Sequence, residues 1–365
     1  MRILNVVGAR PNFMKVAPIH RIMRERVEVF EPILIHTGQH YDERMSQFFF
    51  NDLGLPEPDV FLGVGSGSHA EQTARIMIEF EKVCLQYKPD LVLVVGDVNS
   101  TAACSLVASK LWIPVAHVEA GLRSFDRQMP EEINRLVTDA LSDYLFITEK
   151  SGRENLLKEG IAENKIHFVG NCMIDSLVGL MEKAEQSDIM EKLKIKERQF
   201  LLVTLHRPSN VDDPENFSCI LAALEEVQRK LQVVFPIHPR TNKNIKTFGL
   251  EKRVNALKNL LLTEPLGYLD FIKLQKHCAF VLTDSGGLQE ESTYMGVPCL
   301  TVRKNTERPI TVELGTNEIV GLDTQKIIAS ARQILSGKWK KGEIPPLWDG
   351  RAAERIVEIL AKVRK

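Results

Sequence analysis

Leu282–Ser292 reads LTDSGGLQEES. An apolar run ending near Thr283 meets two adjacent glycines and then a helix-like segment. That is the strand–turn–helix order of a doubly wound α/β sheet. Glycine-rich turns of this kind bring backbone N–H groups and a helix N-terminus close to phosphate. No lysine follows the glycines and no GxGxxG motif occurs, so neither a P-loop nor a dinucleotide fingerprint is present. Glu290 and Glu291 come next, so the positive charge that balances a phosphate must be drawn from elsewhere in the chain.

The same order runs through the whole chain. Continuous apolar runs at 2–8, 32–38, 91–97, 114–120, 144–148 and 166–170 predict parallel strands buried on both faces. Helices are predicted near 14–24, 70–87, 100–110, 131–142 and 151–159. The pattern restarts with strands at 200–206, 233–238, 260–265, 280–285 and 298–302, and helices near 214–231, 268–277 and 287–295. A charged stretch around 182–198 is the expected linker. The predicted fold is α/β: two Rossmann-like doubly wound domains facing a cleft. Domain one is 1–172 plus a returning helix in 350–365, and domain two is 173–349. Asp349 is the expected cap of that last helix, which begins near 351.

The bulk numbers exclude several classes. The chain has 365 residues, 44% hydrophobic and 26% charged, with a net charge of −1. That balance gives no basis for a nucleic-acid or membrane-surface partner. No stretch approaches the ~20 apolar residues of a membrane span. Six cysteines without a CxxC pair read as reduced thiols, and the N-terminus lacks a signal peptide's pattern, so a cytoplasmic protein is expected. Nine histidines show no HExxH pattern, so no metal is expected.

Polar residues collect where the predicted strands end, the side on which open α/β sheets bind ligands. Arg10 and Lys15 follow the first strand, and Gln39 and His40 the second. Asp97 and Glu119 end apolar strands, where a carboxylate without a role is costly to bury. Glu131 and Arg135 are one helical turn apart. His206 and His238 each end a strand of the second set. Ser285, Gly286 and Gly287 fit a diphosphate, with Arg308 supplying charge, and Glu291 fits the two hydroxyls of a ribose. Loops from both halves describe one inter-domain site.

Eight ordered segments carry a family resemblance: VGARPNFMK, HTGQH, GDVNST, HVEAGLRS, MPEEINR, TLHR, TDSGGLQEE and NTERP. Together they resemble the non-hydrolysing UDP-N-acetylglucosamine 2-epimerases over nearly the whole chain. The resemblance implies a glycosyltransferase-B-type architecture and reversible C2 epimerisation of UDP-N-acetylglucosamine to UDP-N-acetylmannosamine, feeding surface polysaccharide precursors. It implies a homodimer that needs neither NAD nor metal. It assigns Asp97, Glu119 and Glu131 to acid/base work, with His206 and Arg135 beside them. Arg10 and Lys15 fall near the diphosphate and sugar, and Leu266 and Phe271 frame the uracil. Gln39 and His40 match part of a site where many bacterial members bind a second UDP-sugar. The chain departs from the family at Val98, at Ile310 and in RPSNVDD after His206. A related branch acts on UDP-2,3-diacetamido-hexuronic acids, and UDP-sugar glycosyltransferases form the competing class on this fold.

Overall fold

In the computed structural model, which describes residues 1–39 and 53–363, the apolar runs form two separate parallel sheets. The chain divides into two compact units, Met1–Leu180 with Pro346–Lys365, and Met181–Pro345. The division falls inside the helix Cys172–Glu185, just upstream of the charged stretch read as the linker.

The first unit holds β1 (Arg2–Val7), β2 (Glu31–His36), β3 (Val60–Phe61), β4 (Leu91–Val95), β5 (Val115–Ala120), β6 (Tyr144–Ile147) and β7 (Ile166–Phe168). Their order across the sheet is 3-2-1-4-5-6-7. Leu91, Leu93 and Val95 of β4 enter one core cluster while Val92 and Val94 enter another. Both faces of the sheet are therefore covered, which is why its strands read as unbroken apolar runs. The helices Arg10–Glu25, His69–Tyr87, Asn99–Lys110, Pro130–Leu141 and Lys150–Lys158 follow their strands as predicted.

The second unit holds β8 (Phe200–Thr204), β9 (Gln232–Pro236), β10 (Leu260–Thr263), β11 (Phe280–Thr283), β12 (Cys299–Thr301) and β13 (Asn317–Ile319), in the order 10-9-8-11-12-13. Here too alternate residues feed different clusters: Leu201 and Val203 one, Phe200 and Leu202 the other. In each sheet the first strand in sequence sits at the interior position where the order reverses, the place where doubly wound sheets bind ligands.

The last helix, Ala352–Lys362, completes the first unit's core with Ala352, Ala353, Ile356, Val357 and Leu360. Its cap differs from the sequence reading. Asp349 pairs with Arg355 and accepts the Arg351 N–H at 3.2 Å, while the N–H groups of Ala352 and Ala353 donate to Asp175 at 3.1 and 2.7 Å. Burial pushes the Asp175 carboxyl up to about 6 despite those two donors.

Candidate active site

In the first unit the strand ends converge through small residues. A Cβ on Gly8 would fall 2.2 Å from Ser100 Oγ, so only glycine lets the end of β1 lie against the helix Asn99–Lys110. Asn12 stitches the turn: its Oδ1 accepts from the N–H of Gly8 and Ala9, and its Nδ2 donates to the Val95 carbonyl. Gly96, at φ +65, carries the chain to Asp97, and a Cβ there would meet Lys15 Nζ at 3.1 Å. Lys15 Nζ lies 2.6 Å from Glu119 Oε2, and both side chains are buried. Lys15, Glu119 and the Gly96-Asp97 turn therefore meet.

Glu119 has φ +72, in the left-handed region that a residue with a Cβ seldom enters. It is the extra residue of a bulge: Val118 pairs with Phe146 and Ala120 with Ile147, leaving Glu119 between registers. Such strain costs about 1–3 kcal/mol and concentrates at functional sites.

Arg135 does not pair with Glu131, one turn away in sequence. Its Nη1 lies 2.5 Å from Asp97 Oδ2, and its Nη2 lies 2.6 Å from Glu132 Oε2 at the i−3 position. Glu132 also accepts from the N–H of Ser124 and Phe125. Burial acts to raise the Glu132 carboxyl, but the Ser124 N–H and the Arg135 guanidinium outweigh it and hold it below the usual range. Glu131, half-buried in the first turn of the helix Pro130–Leu141, makes no hydrogen bond or ion pair with another described residue. Beneath these groups runs a buried chain that the sequence reading missed. His117 lies between Asp139, at 2.6 Å, and the Gly96 carbonyl, at 2.8 Å. Asp139 in turn meets Arg123 at 2.7 Å and accepts from the Gly121 N–H. This chain anchors both the Gly96-Asp97 turn and the segment after Glu119.

Gln39 is buried and takes Ser100 N–H and Oγ on its Oε1, at 2.9 and 2.7 Å. Arg10 opens the helix Arg10–Glu25, and its side chain lies outside the described residues, as does His40.

In the second unit β11 delivers Asp284 and then the Ser285-Gly286-Gly287 turn, whose three residues are all partly accessible. The helix Gly286–Tyr294 starts there with Ser285 at its N-cap, and the Ser285 hydroxyl makes no capping bond. A Cβ on Gly286 would sit 2.6 Å from Arg308 Nη1, so glycine lets the guanidinium lie against the helix N-terminus. Two partners engage the acidic residues that follow: Arg308 Nε lies 2.8 Å from Glu290 Oε1, and the Tyr268 hydroxyl donates to Glu291 at 2.7 Å. The carboxylates after the glycines thus organise Arg308 and Tyr268. Glu307 gathers Arg303 at 2.7 Å, Arg207 at 3.5 Å and Arg308 at 3.6 Å. Burial opposes its ionisation, but the three guanidinium groups hold its carboxyl far below the usual range.

His206 Nδ1 lies 2.9 Å from Asp284 Oδ1. The His238 ring is 6.4 Å away, and its Nδ1 accepts from Arg240 N–H as a helix cap. Phe271 is buried in a cluster with Leu274 and Leu288, and Leu266 packs against the same cluster. Sequence reasoning missed Glu132, Asp139, Asp284 and Glu307. For Glu132, Asp284 and Glu307 the only signal was a place inside a singled-out motif, and Asp139 carried none. Among the described residues no group of three His, Cys, Asp or Glu side chains is arranged to hold a metal, and no helix is long and apolar enough to cross a membrane.

A family model described as UDP-N-acetylglucosamine 2-epimerase matches residues 23–361. The UDP-N-acetylglucosamine 2-epimerase of Methanocaldococcus jannaschii is 45% identical over 367 residues, covering 99% of each chain. The UDP-2,3-diacetamido-2,3-dideoxy-D-glucuronate 2-epimerase of Pseudomonas aeruginosa is 42% identical over 366 residues, covering 100% of each. The solved structure of the M. jannaschii UDP-GlcNAc 2-epimerase in complex with UDP-GlcNAc and UDP matches with a TM-score of 0.90 at 45% identity, over 99% of this chain and 100% of that one. On matches that run essentially from end to end, this chain belongs to the UDP-N-acetylglucosamine 2-epimerase family.

Proposed function

We propose that the chain interconverts UDP-N-acetylglucosamine and UDP-N-acetylmannosamine by inverting C2, supplying precursors for surface polysaccharide. The observation that carries this reading is the meeting of Lys15, Glu119 and the Asp97 turn in a chain of this family, with Glu119 in a strained bulge.

The C2 hydrogen of the sugar has no neighbouring carbonyl, so direct deprotonation is hard. UDP at C1 is a leaving group, however. One carboxylate takes the C2 proton while the C1–O electron pair departs with the diphosphate, giving a 2-acetamidoglucal. UDP then adds back as a second group delivers a proton to the other face of C2. We assign Asp97, Glu119 and Glu131 to those proton transfers. The ion pairs of Asp97 with Arg135 and of Glu119 with Lys15 support an electrostatically prepared site. Arg10, Lys15, Ser285, Gly286, Gly287 and Arg308 are assigned to the diphosphate region, Glu291 to the ribose, and Leu266 and Phe271 to the uracil, while Arg135 and His206 complete the catalytic surroundings. His238 and Gln39 complete the binding set. This scheme uses no NAD and no metal.

Incubation with UDP-GlcNAc alone tests the reading. Appearance of UDP-ManNAc without an acceptor supports it; hydrolysis only, or no change, rejects it. A second reading, epimerisation of a UDP-2,3-diacetamido-hexuronic acid, is favoured by the Pseudomonas relative, whose identity is nearly as high. The same assay with that substrate compares the two.

We further propose a cytoplasmic homodimer. Apolar side chains stand exposed on the first unit: Ile78 and Leu85 on the helix His69–Tyr87, Ile133 and Val137 on Pro130–Leu141, and Trp112 at 94% exposure. Light scattering on the purified chain tests the dimer.

A further inference from the structure

Asp284 is fully buried, while the His206 side chain beside it is 47% exposed. The Asp284 carboxylate meets donors only. Oδ1 faces His206 Nδ1 at 2.9 Å, and Oδ2 accepts from His206 N–H at 3.0 Å, Arg207 N–H at 3.0 Å and Asn210 Nδ2 at 3.1 Å. Burial alone would raise this carboxyl, yet His206 and the backbone donors hold it below the usual range. An ionised carboxylate has no proton to give, so the hydrogen of the His206–Asp284 bond belongs to Nδ1. Nε2 is the ring nitrogen that Asp284 does not engage, on a side chain that is 47% exposed. Asp284 also immediately precedes the Ser285-Gly286-Gly287 turn.

We infer that Asp284 is a positioning residue for the epimerisation: it fixes His206 as the Nδ1–H tautomer, reserves Nε2 for the substrate, and ties that ring to the diphosphate turn. Asp284 itself touches no substrate. In the neutral ring Nε2 accepts a hydrogen bond; in the imidazolium it donates one to the departing diphosphate. The inference rests on the UDP-sugar epimerase reading.

The test begins with the intact chain labelled with ¹⁵N-histidine, the His206 signals being assigned by their loss in His206→Asn. At a pH where the ring is neutral, a protonated Nδ1 and a bare Nε2 are expected. The reverse tautomer, or an even mixture, overturns the inference. This measurement needs no turnover, so it stands or falls separately from the epimerase assay. Asp284→Asn should let both tautomers appear and lower kcat by ~10²-fold while UDP affinity stays within about threefold. Equal losses in kcat and UDP affinity would mean a purely structural role. If that variant does not fold, His206→Gln and His206→Asn decide, since the Gln amide reaches the Nε2 position and the Asn amide the Nδ1 position. Gln should retain at least about tenfold more activity than Asn, and the opposite ranking overturns the inference.

Discussion

Replacing Gly286 by alanine should weaken UDP binding through an arginine that the new methyl group displaces. The added Cβ would lie 2.6 Å from Arg308 Nη1 and 3.0 Å from Cζ, where ordinary contact begins at 3.4 Å. The guanidinium must therefore retreat by the difference, about 0.8 Å. A guanidinium in solvent would yield at little cost. This one is buried and pinned, its Nε 2.8 Å from Glu290 Oε1 and its Nη1 3.6 Å from Glu307 Oε2. A retreat of that size lengthens the ion pairs that hold the guanidinium and draws its charge away from the helix N-terminus. Losing one charge-assisted hydrogen bond costs about 1.5–3 kcal/mol, or roughly 10- to 100-fold in Kd if the charge serves the nucleotide. Calorimetric titration with UDP reads the loss, and thermal melting confirms that the variant is folded. Gly179→Ala is the control, because nothing lies within 4 Å of its Cβ and its backbone is helical. A folded Gly286→Ala that binds UDP within about twofold of the parent would refute both the anchoring of Arg308 and its assignment to the diphosphate.

Asp97→Asn, Glu119→Gln and Glu131→Gln should each lower turnover by at least ~10²-fold in the UDP-ManNAc assay, and a variant with parental rates leaves the acid/base set. Glu291→Ala should weaken UDP by about 1.5–3 kcal/mol in calorimetry, with Tyr268→Phe giving a smaller loss because it removes only the donor that orients the carboxylate. In heavy water deuterium should enter C2, and an ¹⁸O label in the C1 bridging position should scramble into the β-phosphate; exchange without scrambling rejects the glycal route. Burial lowers His20 and His36 to about 4, so between pH 6.5 and 4 the unfolded chain binds protons that the folded chain does not. Their stabilisation is complete above pH 6.5 and is lost as pH falls, by about 2 kcal/mol each at pH 5, whereas Asp175, raised to about 6, offsets about 1 kcal/mol. Urea unfolding at pH 7 and 5 should show the net loss, steeper in Asp175→Asn; equal stability at the two pH values contradicts it.

The strands were legible where burial on both faces made them continuously apolar, as in LVLVV of β4. Two short edge strands were not: Val60–Phe61 and Asn317–Ile319 are partly exposed and too brief to form a run. The helix Pro239–Thr247 escaped because only Thr241 and Ile245 of it are buried, leaving no apolar stripe. Site residues at strand ends were legible because topology puts ligands there. The residues that hold them were not. Asp284 finds His206 across 78 positions and His117 finds Asp139 across 22, and no local pattern reports a partner at that distance. Asp175 was hidden for the same reason, while Asp349 stood where a cap is ordinarily sought.

The returning helix has a consequence for how the protein is made. Synthesis proceeds from the N-terminus, so the whole second unit emerges from the ribosome before Ala352–Lys362 does. Until then the first unit lacks five of its buried side chains, and the Asp175 carboxylate lacks the two N–H groups that it accepts in the finished fold. The apolar face left by Phe13, Val16 and Ile19 then stays open for the time that well over a hundred residues take to be translated. The second unit, continuous in sequence, has no such wait. The nascent chain is therefore most exposed to aggregation in its earliest-made half, and a stop codon just before Pro346 would leave a folded second unit joined to a first unit that cannot close its core.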